Sequence, residues 1–153
     1  MNISDWPETA AAVVSNRADG WKLRLFASEA SVLDVYLIFL AFSSTGRELC
    51  LVKEAQEQEI IEISSSSDLT GFEQFFDAVF NKNLNALLAN GERGSVFFDW
   101  DDRYFLAVGN SEFLSICHPM PLHVGKMYFE SRIPDDVDEK MLNDLWNRLA
   151  PLM

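Results

Sequence analysis

The sequence predicts an α+β domain, an antiparallel twisted sheet of about six or seven strands packed with three helices. The expected order is roughly α-βββ-α-ββ(β)-α, within a single domain spanning residues 1–153. Three observations carry this expectation. Ser95 to Cys117 (SVFFDWDDRYFLAVGNSEFLSIC) alternates apolar residues with a period of two, broken by short polar turns, the pattern of an antiparallel meander. Phe72, Phe76, Phe80, Leu84 and Leu88 form an i+4 row, the stripe of a core-facing helix. Pro7 and Pro134 each stand at the start of an apolar-periodic run, where proline's fixed φ suits a first helical turn.

Taken in order, Trp6-Pro7-Glu8 opens a first helix, with Glu8 near the positive end of the dipole, and Asp19-Gly20 stops it. Trp21 to Phe26 alternates and predicts a strand with one wet face. Val32 to Phe42 (VLDVYLIFLAF) suits either a buried helix or a central strand. Its Val, Tyr, Ile and Phe content and the Ser43–Gly46 turn favour a strand buried on both faces. Leu49 to Val52 is then its hairpin partner. Glu54 to Glu59 is a polar connection, and Ile60 to Ile63 an edge strand or lead-in.

Asp68 caps the aromatic helix, expected from about Leu69 to Ala89, and Asn90-Gly91 ends it. Phe75, Val79 and Leu87 flank its stripe. In the meander, Asp101-Asp102 and Gly109-Asn110-Ser111 are turns, and Phe113 to Cys117 is a third strand. His118 to His123 is irregular, because Pro119 and Pro121 bias their predecessors away from helix. Met127 to Ile133 is one more strand. Pro134-Asp135-Asp136 opens a last helix with Val137, Met141, Leu142, Leu145 and Leu149 on its apolar face.

Composition narrows the function classes. The chain has 24 acidic and 12 basic side chains, a net charge of -12. That balance argues against a nucleic-acid binder and against docking on anionic membranes, both of which need clustered Lys and Arg. It suits solubility through self-repulsion, or electrostatic steering of a basic protein partner. Cys50 and Cys117 form neither a CxxC pair nor zinc spacing, so buried free thiols are expected. The start of the chain has no basic segment ahead of an apolar stretch, and Val35 to Phe42 is far shorter than the roughly 20 residues of a spanning helix. A cytoplasmic protein is the expectation.

No constellation carries chemistry. Asp99, Asp101 and Asp102 bracket Trp100, but the ligand spacing and glycine of a calcium loop are missing, and Asp suits a hairpin tip for conformational reasons. His118 and His123 lack zinc spacing. Cys117 and His118, adjacent on an expected strand, would point to opposite faces. Gly91 and Gly94 match no phosphate loop. The expectation is therefore a protein with no catalytic residues, no metal and no cofactor.

The stretch LNALLANGERGSVFFDWDDRYFLAV, a helix ending in Asn-Gly before an alternating strand and an Asp-rich turn, resembles the class I type III secretion chaperones. SRIPDDVDEKMLNDLWNRL is similar to their Pro-Asp start and Leu-rich final helix. The resemblance implies a homodimer that binds an extended segment of a secreted effector through hydrophobic patches on its sheets. Phe72, Phe76 and Phe80 would be a dimer face, or else pack only on their own sheet. The rival function is an immunity protein that inhibits a bacterial toxin such as a basic nuclease. There Asp99, Trp100, Asp101 and Asp102 would form the acidic, aromatic contact surface.

Overall fold

The computed structural model describes residues 6–17, 20–27, 32–43, 48–53, 57–62, 69–77, 86–88, 93–99 and 102–153. It is α+β, with helices α1 (Trp6–Asn16), α2 (Val32–Ser43), α3 (Leu69–Phe76), α4 (Ser111–Cys117), α5 (Leu122–Ser131) and α6 (Glu139–Leu149). Strands β1 (Lys22–Ala27), β2 (Glu48–Lys53), β3 (Glu57–Glu62), β4 (Ala86–Leu88), β5 (Gly94–Asp99) and β6 (Tyr104–Gly109) pair antiparallel in the order β1-β6-β5-β4-β2-β3. Only β1, β6 and β5 have described side chains, and this three-stranded part carries the core. The expected architecture of three helices in the order α-βββ-α-ββ(β)-α is therefore corrected to six helices among the described residues, three of them in succession after β6.

The central hairpin explains why the sheet needs so many helices. Register runs from Gly94 opposite Gly109 to Asp99 opposite Tyr104, and every residue of β5 and β6 is buried. Alternation sends Val96, Phe98, Phe105 and Ala107 into one core with Phe26 of β1. Phe97, Tyr104, Leu106 and Val108 enter the other with Leu23, Leu25 and Ala27. Each fully buried large apolar side chain contributes about 1.5–3 kcal/mol, so neither face can stay wet. On the first face lie α2, α3 and α4, through Val35, Phe39, Phe42, Phe75, Phe113 and Leu114. On the second lie α1, α5 and α6, through Trp6, Ala10, Phe129, Leu142 and Trp146.

Four expected elements change identity. Val32–Ser43 is helix α2: Val35, Ile38, Phe39 and Phe42 are buried at helical spacing, and a run of 12 residues exceeds an ordinary strand. Tertiary burial overrides the strand preference of its Val, Ile and Tyr. β2 accordingly pairs with β3 and β4 rather than with this segment. Ser111–Cys117 is helix α4, started by the Asn110 side chain, whose Oδ1 accepts from Phe113 N at 2.9 Å. Leu122–Ser131 is helix α5, burying Gly125 and Phe129 four residues apart. Of the expected aromatic helix, Leu69–Phe76 is helix α3 and residues 78–85 lie outside the described residues, while Leu87 and Leu88 belong to β4, which joins β5 to β2.

Other expectations shift less. The last helix starts at Glu139, where Asp138 caps it by accepting from Met141 N at 3.1 Å, and Pro134 to Val137 form a turn before it. β1 is wet on one face only at its start, where Lys22 is exposed and Arg24 half-buried; Phe26, on the same face, is buried. β3 ends the sheet, and Glu57 to Glu59 belong to it.

Candidate functional site

At the β5–β6 turn, Asp99 is buried, and its Oδ1 accepts from the backbone N–H of Asp102 at 2.8 Å. The same carboxylate bonds the Tyr104 hydroxyl across the hairpin; burial first, and then this neighbouring charge, holds the phenol well above its ordinary range. Asp99 thus fastens the turn. Trp100 and Asp101 lie outside the described residues. Asp102 is exposed and joins Asp138, Asp144, Tyr104, Lys140 and Arg148 around a cleft of about 500 Å³. The sequence pointed to Asp102; Asp138 and Asp144 come from α6 and its cap, far along the chain.

Cys117 and His118 meet at the end of α4, not on a strand, and they do not form a nucleophile and base. The Cys117 thiol turns back towards the Leu114 carbonyl at 3.9 Å, and burial pushes its pKa up to about 12. His118 is 6% exposed, its ring edge-on to Phe26 at 5.3 Å. Burial, then the nearby Arg24 guanidinium, holds its pKa below the ordinary histidine value, so it is neutral at pH 7. Its Nδ1 has no hydrogen-bond partner. His118 lines a second cleft, of about 520 Å³, with Lys22, Arg24, Ser111 and the Pro119–Pro121 segment. His123 is exposed on α5, so the two histidines are not brought to one site. Among the described residues no group of three or more His, Cys, Asp or Glu is placed to hold a metal ion.

The aromatic row splits. Phe72 and Phe76 are half-buried against the first core, with Phe72 5.3 Å from the Tyr36 ring and 5.6 Å from Phe39. Phe75, beside the row, is the buried one; Phe80 lies outside the described residues. The surface that sequence reading missed is the outer side of α2. Val32 is 65% exposed, Leu33 62% and Tyr36 36%, while Leu37 and Leu40 are half-buried. The only charged residue of that helix, Asp34, is buried and accepts from the Tyr128 hydroxyl of α5 at 2.7 Å. Helices apolar all round are normally covered on all sides. This one is not, and the missing polar face was visible in VLDVYLIFLAFS once the segment is taken as a helix.

No family model, curated protein or solved structure matches this chain. No helix among the described residues is long and apolar enough to cross a membrane.

Proposed function

We propose that this chain is a non-catalytic, cytoplasmic protein-binding protein that holds an apolar segment of another polypeptide, in the manner of a secretion chaperone. The observation that carries the reading is the outward face of α2, where Val32, Leu33 and Tyr36 stand exposed with no charged residue among them. Apolar side chains clustered on one exposed helix face favour contact with a partner over contact with water. The client surface is then this helix and the flanking Phe72, since both faces of β5 and β6 are already covered. The excess of acidic side chains keeps such a carrier soluble. A second copy of the chain is the other occupant that could cover α2.

A second reading is supported by the opposite side of the molecule. Asp102, Asp138 and Asp144 around one cleft suit the Arg or Lys side chains of a basic toxin, and the chain would then be its immunity protein. One experiment separates the two. The chain is co-expressed with the products of its neighbouring genes, and complexes are sized by light scattering for Leu33→Asp and Asp144→Lys. The chaperone reading expects Leu33→Asp to abolish the complex while the fold survives, and Asp144→Lys to leave it intact. The immunity reading expects the reverse. A complex indifferent to both substitutions refutes both.

A further inference from the structure

The cleft beside His118 is an electrostatic exception. The chain carries 24 carboxylate side chains against 12 cationic ones, yet among the described residues no carboxylate side chain lines this cleft, while Lys22 and Arg24 both do. The two alternate on β1, so they share a face, and α4 forms part of the same cleft. Neither pairs with a carboxylate side chain among the described residues. Arg24 Nη1 is held by the main-chain oxygens of Leu23 and Met153 at 2.8 and 2.9 Å, and its Nε has no partner. The guanidinium is thus held in place by these two oxygens.

Two more features converge on the same wall. His118 is more than nine-tenths buried, lines the cleft, and leaves Nδ1 unpartnered. Buried polar atoms are rarely left so, because each lost hydrogen bond is expensive. Nδ1 is closed to solvent, so reaching it takes a shift of the half-buried Met120 beside it. In its Nδ1–H tautomer the imidazole donates a hydrogen bond without carrying charge. The second feature is α5. It starts at Pro121, on the cleft wall, and no side chain caps its first turn. Uncapped N–H groups at a helix start favour negative charge. Ser115 contributes less, since its hydroxyl proton is already given to the Glu112 carbonyl at 2.8 Å.

We propose that this cleft binds a phosphate-type oxyanion of a small molecule, held between Lys22, Arg24, His118 and the first turn of α5. A tetrahedral dianion matches two cations and donors arriving from separate elements, whereas a planar carboxylate would use only the guanidinium edge. The site is independent of the protein-binding reading.

The test is titration of the whole chain with inorganic phosphate at fixed ionic strength, followed by amide chemical shifts. Saturable shifts confined to β1, α4 and the start of α5 are expected, with sulfate acting similarly and acetate at least tenfold weaker. Lys22→Glu, at an exposed position, should weaken phosphate at least tenfold, the scale of one charge-assisted contact. Lys140→Glu, in the other cleft, should leave it unchanged. Arg24→Gln should weaken it comparably if it folds; if it does not, Lys22→Glu decides alone. Unsaturable or scattered shifts overturn the site, as does a Lys22→Glu chain that binds like wild type. Acetate binding as tightly as phosphate overturns the choice of ligand.

Discussion

Gly125 lies inside α5, where a glycine is normally a defect, and the reason for it is His118. A Cβ at this position would stand 2.6 Å from His118 Cε1 and 2.8 Å from Nε2, closer than carbon and nitrogen tolerate. The ring has little room to retreat, since it is buried and lies edge-on to Phe26. Two opposing terms decide the outcome of Gly125→Ala. Replacing an interior helical glycine with alanine gains about 0.8–1.0 kcal/mol. Forcing a methyl into a filled site costs about 1–3 kcal/mol. The clash should win, leaving the variant about 1 kcal/mol less stable, by the difference of those terms. In a His118→Ala background the obstruction is gone, and the same substitution should stabilise by about 1 kcal/mol. The two sites should therefore couple by about 2 kcal/mol in a double-mutant cycle. Urea unfolding followed by tryptophan fluorescence measures all four chains. If Gly125→Ala stabilises wild type and His118→Ala equally, α5 does not pack on this imidazole and the placement of the basic cleft is wrong.

Three further outcomes follow from the same contacts. Because burial and Arg24 depress the His118 pKa, the unfolded chain binds its proton more tightly than the folded one. The stability this group contributes is full above the unfolded value of about 6.5 and falls as pH drops from there towards the folded value. Urea midpoints between pH 7.5 and 5 should decline less steeply in His118→Gln, and equal slopes would contradict the assignment. Cys117, with its thiol pushed up to about 12, should resist a thiol-specific disulfide reagent at pH 7.5 until the chain unfolds; rapid native-state labelling, located by mass spectrometry, would refute its burial. Phe113→Ala should cost about 3–5 kcal/mol. Gly94→Ala should also destabilise, since its Cβ would collide with the Phe113 ring, and Phe113→Ala should relieve most of that penalty when the two are combined.

What the sequence revealed of the fold followed the physics of periodicity. β1, β5 and β6 were legible because alternation is a strong pattern when each strand side meets a different core. α1 and α6 were legible because caps and apolar stripes coincide. α2 was misread since a helix buried on one side and apolar on the other shows no polar face, leaving only the β-leaning propensities of Val, Ile and Tyr. α4 was misread because Phe113, Leu114 and Cys117 look like a third meander strand unless Asn110 is seen as a cap instead of a turn residue. The expected aromatic helix could not run to Ala89, because Ala86–Leu88 pair with β5 and β2 as strand β4, and that long-range pairing leaves no trace in local spacing.

The sites were less legible for a related reason, which is that charge patterns in a sequence do not say which charges share a surface. Asp99 to Asp102 looked like one acidic tip, yet Asp99 is consumed by the turn, accepting from Asp102 N and bonding Tyr104. Asp102 then finds its acidic company in Asp138 and Asp144, supplied by another element. Alternation in Trp21 to Phe26 predicts one wet strand face, and the structure leaves Lys22 exposed on it with Arg24 half-buried. Strand alternation puts both on one face, α4 brings His118 to it, and Gly125 lets α5 close over the imidazole. A lysine and an arginine two apart are unremarkable anywhere on a neutral protein. On a chain this acidic, a cleft lined by a lysine and an arginine, and by no carboxylate side chain among the described residues, suits an anionic ligand.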